Sequence, residues 1–192
     1  MAIKMRRLLL MAFLMALLLF SFYINGFAGE RFIFSVSGNY LLPSDKTFKD
    51  IYGKGLFYPE LKAGFKVFKR LYLWVGYGFF SVNGTTLVLG REAKSDQKFL
   101  SGGAGYILHI TKKFDYKIEL GLFQASYKEE SMGEELSDSA IGLRIDGGVI
   151  FNLGRIFYVE ISLGYLEASD TIKNFKVKLG GFRTGIGLGL KF

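Results

Sequence analysis

The sequence predicts an all-β fold: eight antiparallel strands in up-and-down order, closed into a transmembrane β-barrel and preceded by a signal peptide. Three observations predict it. Apolar and polar residues alternate with period two along most of the chain after residue 28, as in strands whose two faces meet different surroundings. The links between these runs alternate short and long, the rhythm of hairpins joined in sequence order. Composition agrees, since 25 Gly, 20 Phe and 11 Tyr stand where a helical bundle carries Ala, Leu, Glu and Lys.

The first element is the segment 1–28. Lys4, Arg6 and Arg7 give a positive start, Leu8 to Phe20 is apolar throughout, and Gly26 and Ala28 occupy the −3 and −1 positions of a small-residue cleavage site. This is the pattern of a secretory signal peptide cut before Gly29. A retained membrane anchor is the competing reading, disfavoured because no basic stop-transfer cluster follows the apolar run. The remainder, 29–192, reads as one barrel domain.

Eight alternating runs follow, at 30–42, 57–68, 71–83, 96–110, 114–127, 138–152, 155–168 and 175–192. The clearest is Phe157 to Tyr165, with Phe157, Val159, Ile161, Leu163 and Tyr165 on one face and Tyr158, Glu160, Ser162 and Gly164 on the other. Lys69-Arg70, Thr111 to Lys113 and Leu153-Gly154 supply the tight turns. The stretches 43–56, 84–95, 128–137 and 169–174 are expected to be long polar loops, with Pro43 and Pro59 flanking the first of them outside any strand interior.

The faces decide the surroundings. The apolar face is continuous and carries aromatics at its ends, among them Tyr40, Tyr106, Tyr116, Phe157, Tyr165 and Phe182. The other face interleaves Gly, Ser and Ala with Lys62, Lys66, Glu119, Arg144, Asp146, Glu160 and Arg183. Apolar-out, polar-in alternation with aromatic girdles is what a lipid-facing barrel shows. Each run reaches the roughly 9–11 residues a tilted spanning strand needs, and closure removes the edges that lipid cannot solvate. A soluble lipocalin-like barrel would invert the faces and crowd more aromatic rings inside than eight strands hold.

The last strand, Gly180 to Phe192 (GGFRTGIGLGLKF), resembles the C-terminal strand of bacterial outer-membrane barrel proteins, with Phe192 last and Leu190, Leu188 and Ile186 at alternate positions before it. With the signal peptide and eight strands, the whole chain resembles the small porin-family, OmpA-like barrel group. The resemblance implies outer-membrane localisation and recognition of the Phe192 strand by the barrel-assembly machinery.

Chemistry is sparse. With no Cys and one His, a thiolate or multi-His metal site is excluded, and no cofactor is expected. Gly185 to Gly189 precedes no helix, so it makes room inside a narrow barrel and is no phosphate loop. Glu119 and Glu160 read as members of a paired lumen network with Lys62, Lys66, Arg144, Asp146 and Arg183, since buried charges need partners. His109 is the one imidazole, expected on the inward face at the short-turn rim, away from the outer leaflet where the lipid A-modifying barrel enzymes work. No catalytic residue is expected.

The long loops carry both signs. Lys46, Lys49, Lys54, Arg91, Lys94 and Lys173 are expected to meet lipopolysaccharide phosphates as point charges, while Glu129, Glu130, Glu134, Glu135 and Asp138 make the third loop acidic. Positive charge is spread along the chain, which argues against a nucleic-acid patch. The expected protein is a monomeric barrel with no wide aqueous pore and a structural or surface-interaction role. The alternative is passage of a small apolar compound past inward Trp74, Ile107 and Phe123.

Overall fold

The computed structural model describes residues 31–86, 90–131, 134–172 and 175–192. Eight strands, β1 (Phe32–Pro43), β2 (Leu56–Lys66), β3 (Leu71–Thr85), β4 (Glu92–His109), β5 (Phe114–Ser131), β6 (Glu134–Asn152), β7 (Phe157–Ile172) and β8 (Phe175–Lys191), follow one another around the sheet. β8 returns to β1 antiparallel, from Ile33 opposite Lys191 to Pro43 opposite Gly181, so the barrel is closed. The signal peptide expected over 1–28 lies outside the described residues.

The face assignment holds strand by strand. Outward Leu61, Val75, Leu120, Ile145, Ile161 and Leu188 are each more than half exposed, a continuous apolar belt that only lipid or a partner surface could cover. The inward residues are buried, and they include Lys62, Glu119, Arg144, Asp146, Glu160 and Arg183. Narrowness follows from the strand number, since eight strands leave an interior that side chains fill. Glycine provides the space: a Cβ at Gly189 would lie 2.0 Å from the Tyr158 ring, so the tyrosine occupies the volume a larger residue would need.

Three expectations are corrected. The stretch 43–56 is not a plain loop, because it contains a helix, α1 (Lys46–Tyr52), capped by the Asp45 carboxylate accepting from Phe48 N at 3.0 Å. The acidic stretch 128–137 is mostly strand: β5 runs to Ser131 and β6 begins at Glu134, with Glu129 opposite Leu136 and Tyr127 opposite Asp138. The second and fourth long loops shorten in the same way, as β4 starts at Glu92 and β7 continues to Ile172. Beyond the apolar belt the outward face turns polar as well, so the apolar–polar alternation that signals a strand fades while backbone pairing continues and inward Ala93, Ser95 and Tyr127 stay buried. Finally, Pro59 lies inside β2, opposite Gly38 of β1. Pairing of β2 with β3 begins one residue later, at Glu60 opposite Gly78, so the missing N–H is placed where the ladder to β3 has ended.

Candidate functional site: the filled lumen and the outer rim

Two linked ion clusters cross the middle of the barrel. In the upper one, Arg144 of β6 donates to Glu60 of β2 through Nη1, and again through Nη2 at 3.2 Å, while its Nε donates to Asp146 at 2.6 Å. Arg183 of β8 donates to the same Glu60 at 3.0 Å and to the Tyr58 hydroxyl at 2.8 Å. Its Nε also approaches Asp146 Oδ1 at 2.9 Å, an ion contact without hydrogen-bond alignment. In the lower cluster Lys62 and Tyr72 both donate to Glu119, each at 2.6 Å, and Lys117 bridges Glu119 at 3.4 Å and Glu160 at 2.6 Å. Trp74 lies between the layers, with Lys62 Nζ 5.2 Å and the Arg144 guanidinium 4.8 Å from its ring centroid.

Four cations (Lys62, Lys117, Arg144, Arg183) and four anions (Glu60, Glu119, Asp146, Glu160) therefore cancel, with every member buried. That balance is what makes the burial tolerable, because an unpaired ion here would lose its hydration without compensation. Of the network expected from sequence, six members are present, and Lys66 instead ends β2 half-buried toward the short-turn rim. Glu60 and Lys117 were missed; both stand at inward positions of alternating runs, and that parity is the signal that could have found them.

Above the ions the lumen turns apolar. Phe99 packs against Tyr58, Phe80 and Phe123 with ring centroids 5.7, 5.7 and 6.0 Å apart, beside Leu41 and Leu166. Helix α1 lies across this mouth. Phe48 packs on the apolar cluster, Asp45 accepts from Lys178 N of β8 at 3.2 Å, and Tyr52 donates to Glu129 of β5. Burial and that carboxylate push the Tyr52 phenol above its ordinary pKa, so it stays a donor.

Lys46 and Lys54 are exposed and Lys49 half-buried on or beside α1. A Cβ at Gly84 would meet the Ile51 carbonyl oxygen at 2.3 Å, so the end of α1 rests on the β3–β4 hairpin, where Gly84 pairs with Ala93 next to Lys94. Arg91 is exposed on that hairpin, and Lys94 pairs with Asp96 at 3.1 Å. Lys54, Arg91 and Lys94 thus gather where the end of α1 meets the β3–β4 hairpin, with Lys46 at the other end of the helix, beside β8, while Lys173 lies outside the described residues.

At the opposite rim His109 Nδ1 is 2.7 Å from Asp115 Oδ1, and Asn152 Nδ2 donates to Asp115 Oδ2 at 2.9 Å. Phe192 completes the seam: its carbonyl accepts from Arg31 N and Phe32 N at 2.8 and 2.7 Å, and its ring stacks on Phe34 at 5.8 Å. Ile186, Leu188 and Leu190 point outward in the apolar belt.

No family model matches the sequence. No curated protein matches it. Solved structures do match in fold. Neisserial surface protein A aligns with 84% of this chain and 97% of its own, at 16% identity and a TM-score of 0.59. The outer membrane protein OprG from Pseudomonas aeruginosa aligns over 85% and 96%, at 15% identity and a TM-score of 0.65. Ail, the attachment invasion locus protein of Yersinia pestis, crystallised with the heparin analogue sucrose octasulfate, aligns over 85% and 97%, at 18% identity and a TM-score of 0.54. The chain is a small eight-stranded outer-membrane β-barrel by fold, and its apolar belt is the surface that such a location requires.

Proposed function

We propose that this barrel passes no aqueous ions and acts through its outer rim as a surface-interaction protein of the outer membrane. One observation carries the reading: a charge-neutral, hydrogen-bonded network occupies the lumen at mid-height, tying β2, β5, β6, β7 and β8 together. Water and ions would have to break it to pass. With the lumen closed, the exposed functional groups are those of the rim. The basic set Lys46, Lys49, Lys54, Arg91 and Lys94 suits anionic groups of the envelope or a neighbouring surface, lipopolysaccharide phosphates included. The sucrose octasulfate held by Ail supports a polyanionic sugar as the first probe. In this reading the protein is monomeric, surrounded by outer-membrane lipid, delivered by the barrel-assembly machinery, and neither catalytic nor nucleic-acid binding.

Planar-bilayer recording tests the closed lumen. Purified protein is expected to give no discrete conductance steps; steps in the wild type would sink the reading. Titration with sucrose octasulfate tests the rim. Binding is expected to weaken with added salt and to fall in a Lys46→Gln, Lys49→Gln, Lys54→Gln variant, and equal binding by that variant would remove the basic loop from the account.

A second reading, passage of a small apolar compound, is favoured by the apolar outer half of the lumen around Phe80, Phe99 and Phe123. It predicts that Phe99→Ala accelerates uptake of an apolar probe into vesicles. An unchanged rate would count against it.

A further inference from the structure

The outer wall of the barrel changes character within one register row. On the faces of β3, β4, β5 and β6 that point away from the lumen, Tyr77 stands beside Leu100, Leu100 beside Gln124, and Gln124 beside Ile141. One row nearer the outer rim the set becomes Phe79, Lys98, Ser126 and Ser139, and the next is Ser81, Asp96, Lys128 and Ser137. Leu100 and Ile141 are well exposed to the apolar belt, so the belt ends between these rows. Two lysines then occupy diagonal positions on β4 and β5, within the roughly 7–8 Å reach of such neighbours. The row above adds Lys94, whose charge is already matched by Asp96 at 3.1 Å.

A groove of about 490 Å³ lies on this wall, lined by Tyr77, Phe79, Ser81, Lys98, Ser126 and Lys128 among others. Its volume falls in the range of small-ligand sites and exceeds what one phosphate fills. Its floor is aromatic, its walls carry hydroxyls, and its upper edge carries Lys98, Lys128 and one carboxylate, Asp96, which stands directly opposite Lys128 and pairs with Lys94, so the edge is net cationic.

We infer that this groove seats the headgroup of a phosphorylated glycolipid of the outer leaflet, with Lys98 and Lys128 on its phosphate. The position selects the occupant, because a molecule lying against the outside of the barrel at the end of the apolar belt has its acyl chains on Tyr77 and Leu100 and its headgroup one row higher. The hydroxyls of Ser126 and Ser137 offer donors and acceptors to the hydroxyls of a sugar ring, while Ser81 is already held by Asp96. The inference rests on the outward orientation of the long hairpins used above but not on the basic rim residues.

Native mass spectrometry of the barrel released from mixed micelles tests it, with bis-phosphorylated lipid A, its dephosphorylated form and phosphatidylglycerol as probes. Wild type is expected to retain lipid A over both other lipids. The Lys98→Gln, Lys128→Gln variant is expected to lose about thirtyfold in retention, as two lysines at an anionic surface, each worth about 1 kcal/mol, warrant. Lys98→Arg, Lys128→Arg should restore it, and the Lys46→Gln, Lys49→Gln, Lys54→Gln variant should retain lipid as wild type does. A heat-dependent shift in SDS electrophoresis confirms that each variant is folded. Undiminished retention by the glutamine wall variant would overturn the inference, as would equal retention of phosphatidylglycerol. Loss confined to the rim variant would also overturn it while leaving the rim reading standing.

Discussion

Glu60 and Arg144 meet across the full width of the barrel, from β2 and β6, strands that stand opposite one another in the ring of eight. Arg183 shares the same carboxylate at 3.0 Å, so Glu60 is the common anion of two buried guanidiniums. Glu60→Gln leaves a buried excess of positive charge and is expected to destabilise the barrel by about 3–5 kcal/mol. The measurement is the urea midpoint in lipid vesicles, followed by fluorescence of Trp74, the single tryptophan. Glu160→Gln should cost less, because Lys117 keeps Glu119 at 3.4 Å.

Gly164 makes room for the network. A Cβ there would lie 1.8 Å from Asp146 Oδ1 and 2.7 Å from the Ile145 carbonyl oxygen, and the second of these is backbone that cannot step aside. Gly164→Ala is therefore expected to cost about 1–3 kcal/mol, the usual range for overpacking. Gly154→Ala, at a turn where nothing lies within 4 Å, is the control and should leave the urea midpoint in place.

Phe192 has two separable roles. As a structural residue it stacks on Phe34 and closes β8 onto β1; as a resemblance it is the residue read by the assembly machinery. Phe192→Ala keeps the backbone hydrogen bonds, so spontaneous refolding into vesicles should stay near wild type in yield. In cells the same variant should accumulate as unassembled chain, measured by heat-shift electrophoresis of the outer-membrane fraction. Equal defects in both assays would assign Phe192 to structure alone.

His109 faces Asp115 at the rim away from the long hairpins, with the imidazole about half exposed. His109→Ala is expected to cost about 1 kcal/mol or less, as for exposed pairs, because Asn152 still holds the carboxylate at 2.9 Å. The lipid A profile of cells carrying the variant should match that of cells carrying the wild type. A profile matching a deletion strain instead would make this histidine catalytic.

The spanning part of the barrel was legible because lipid and lumen impose opposite chemistry on alternate residues, as Phe157 to Tyr165 displays. Where that contrast ends, legibility ends with it. Glu129 and Glu130 read as loop because polar residues occupy both faces of their hairpin, although they pair with β4 and β6 and Glu129 is held by Tyr52. Helix α1 is seven residues long, too short for a helical period to emerge, and its one clear signal was Asp45 as a cap three residues before Phe48. Of the network, Glu60 was obscured by the preceding Pro59, which reads as a strand breaker until the neighbouring ladder is known to end there. The outer-wall lysines Lys98 and Lys128 carry no motif, and only the register brings them beside each other.

The cancellation of the eight lumen charges divides the molecule by its response to ionic strength. Since the network sums to zero, the net charge, formally +8 for the full chain and +5 once the three basic residues of the expected signal peptide are set aside, is carried entirely by residues outside it. Mobile ions, with a screening length of about 8 Å under physiological conditions, reach exposed groups and not the buried network. Adding salt should thus fade the electrostatic field that the rim and wall present to anions while leaving the fold unmoved. Surface electrostatics and architecture respond to different solutions.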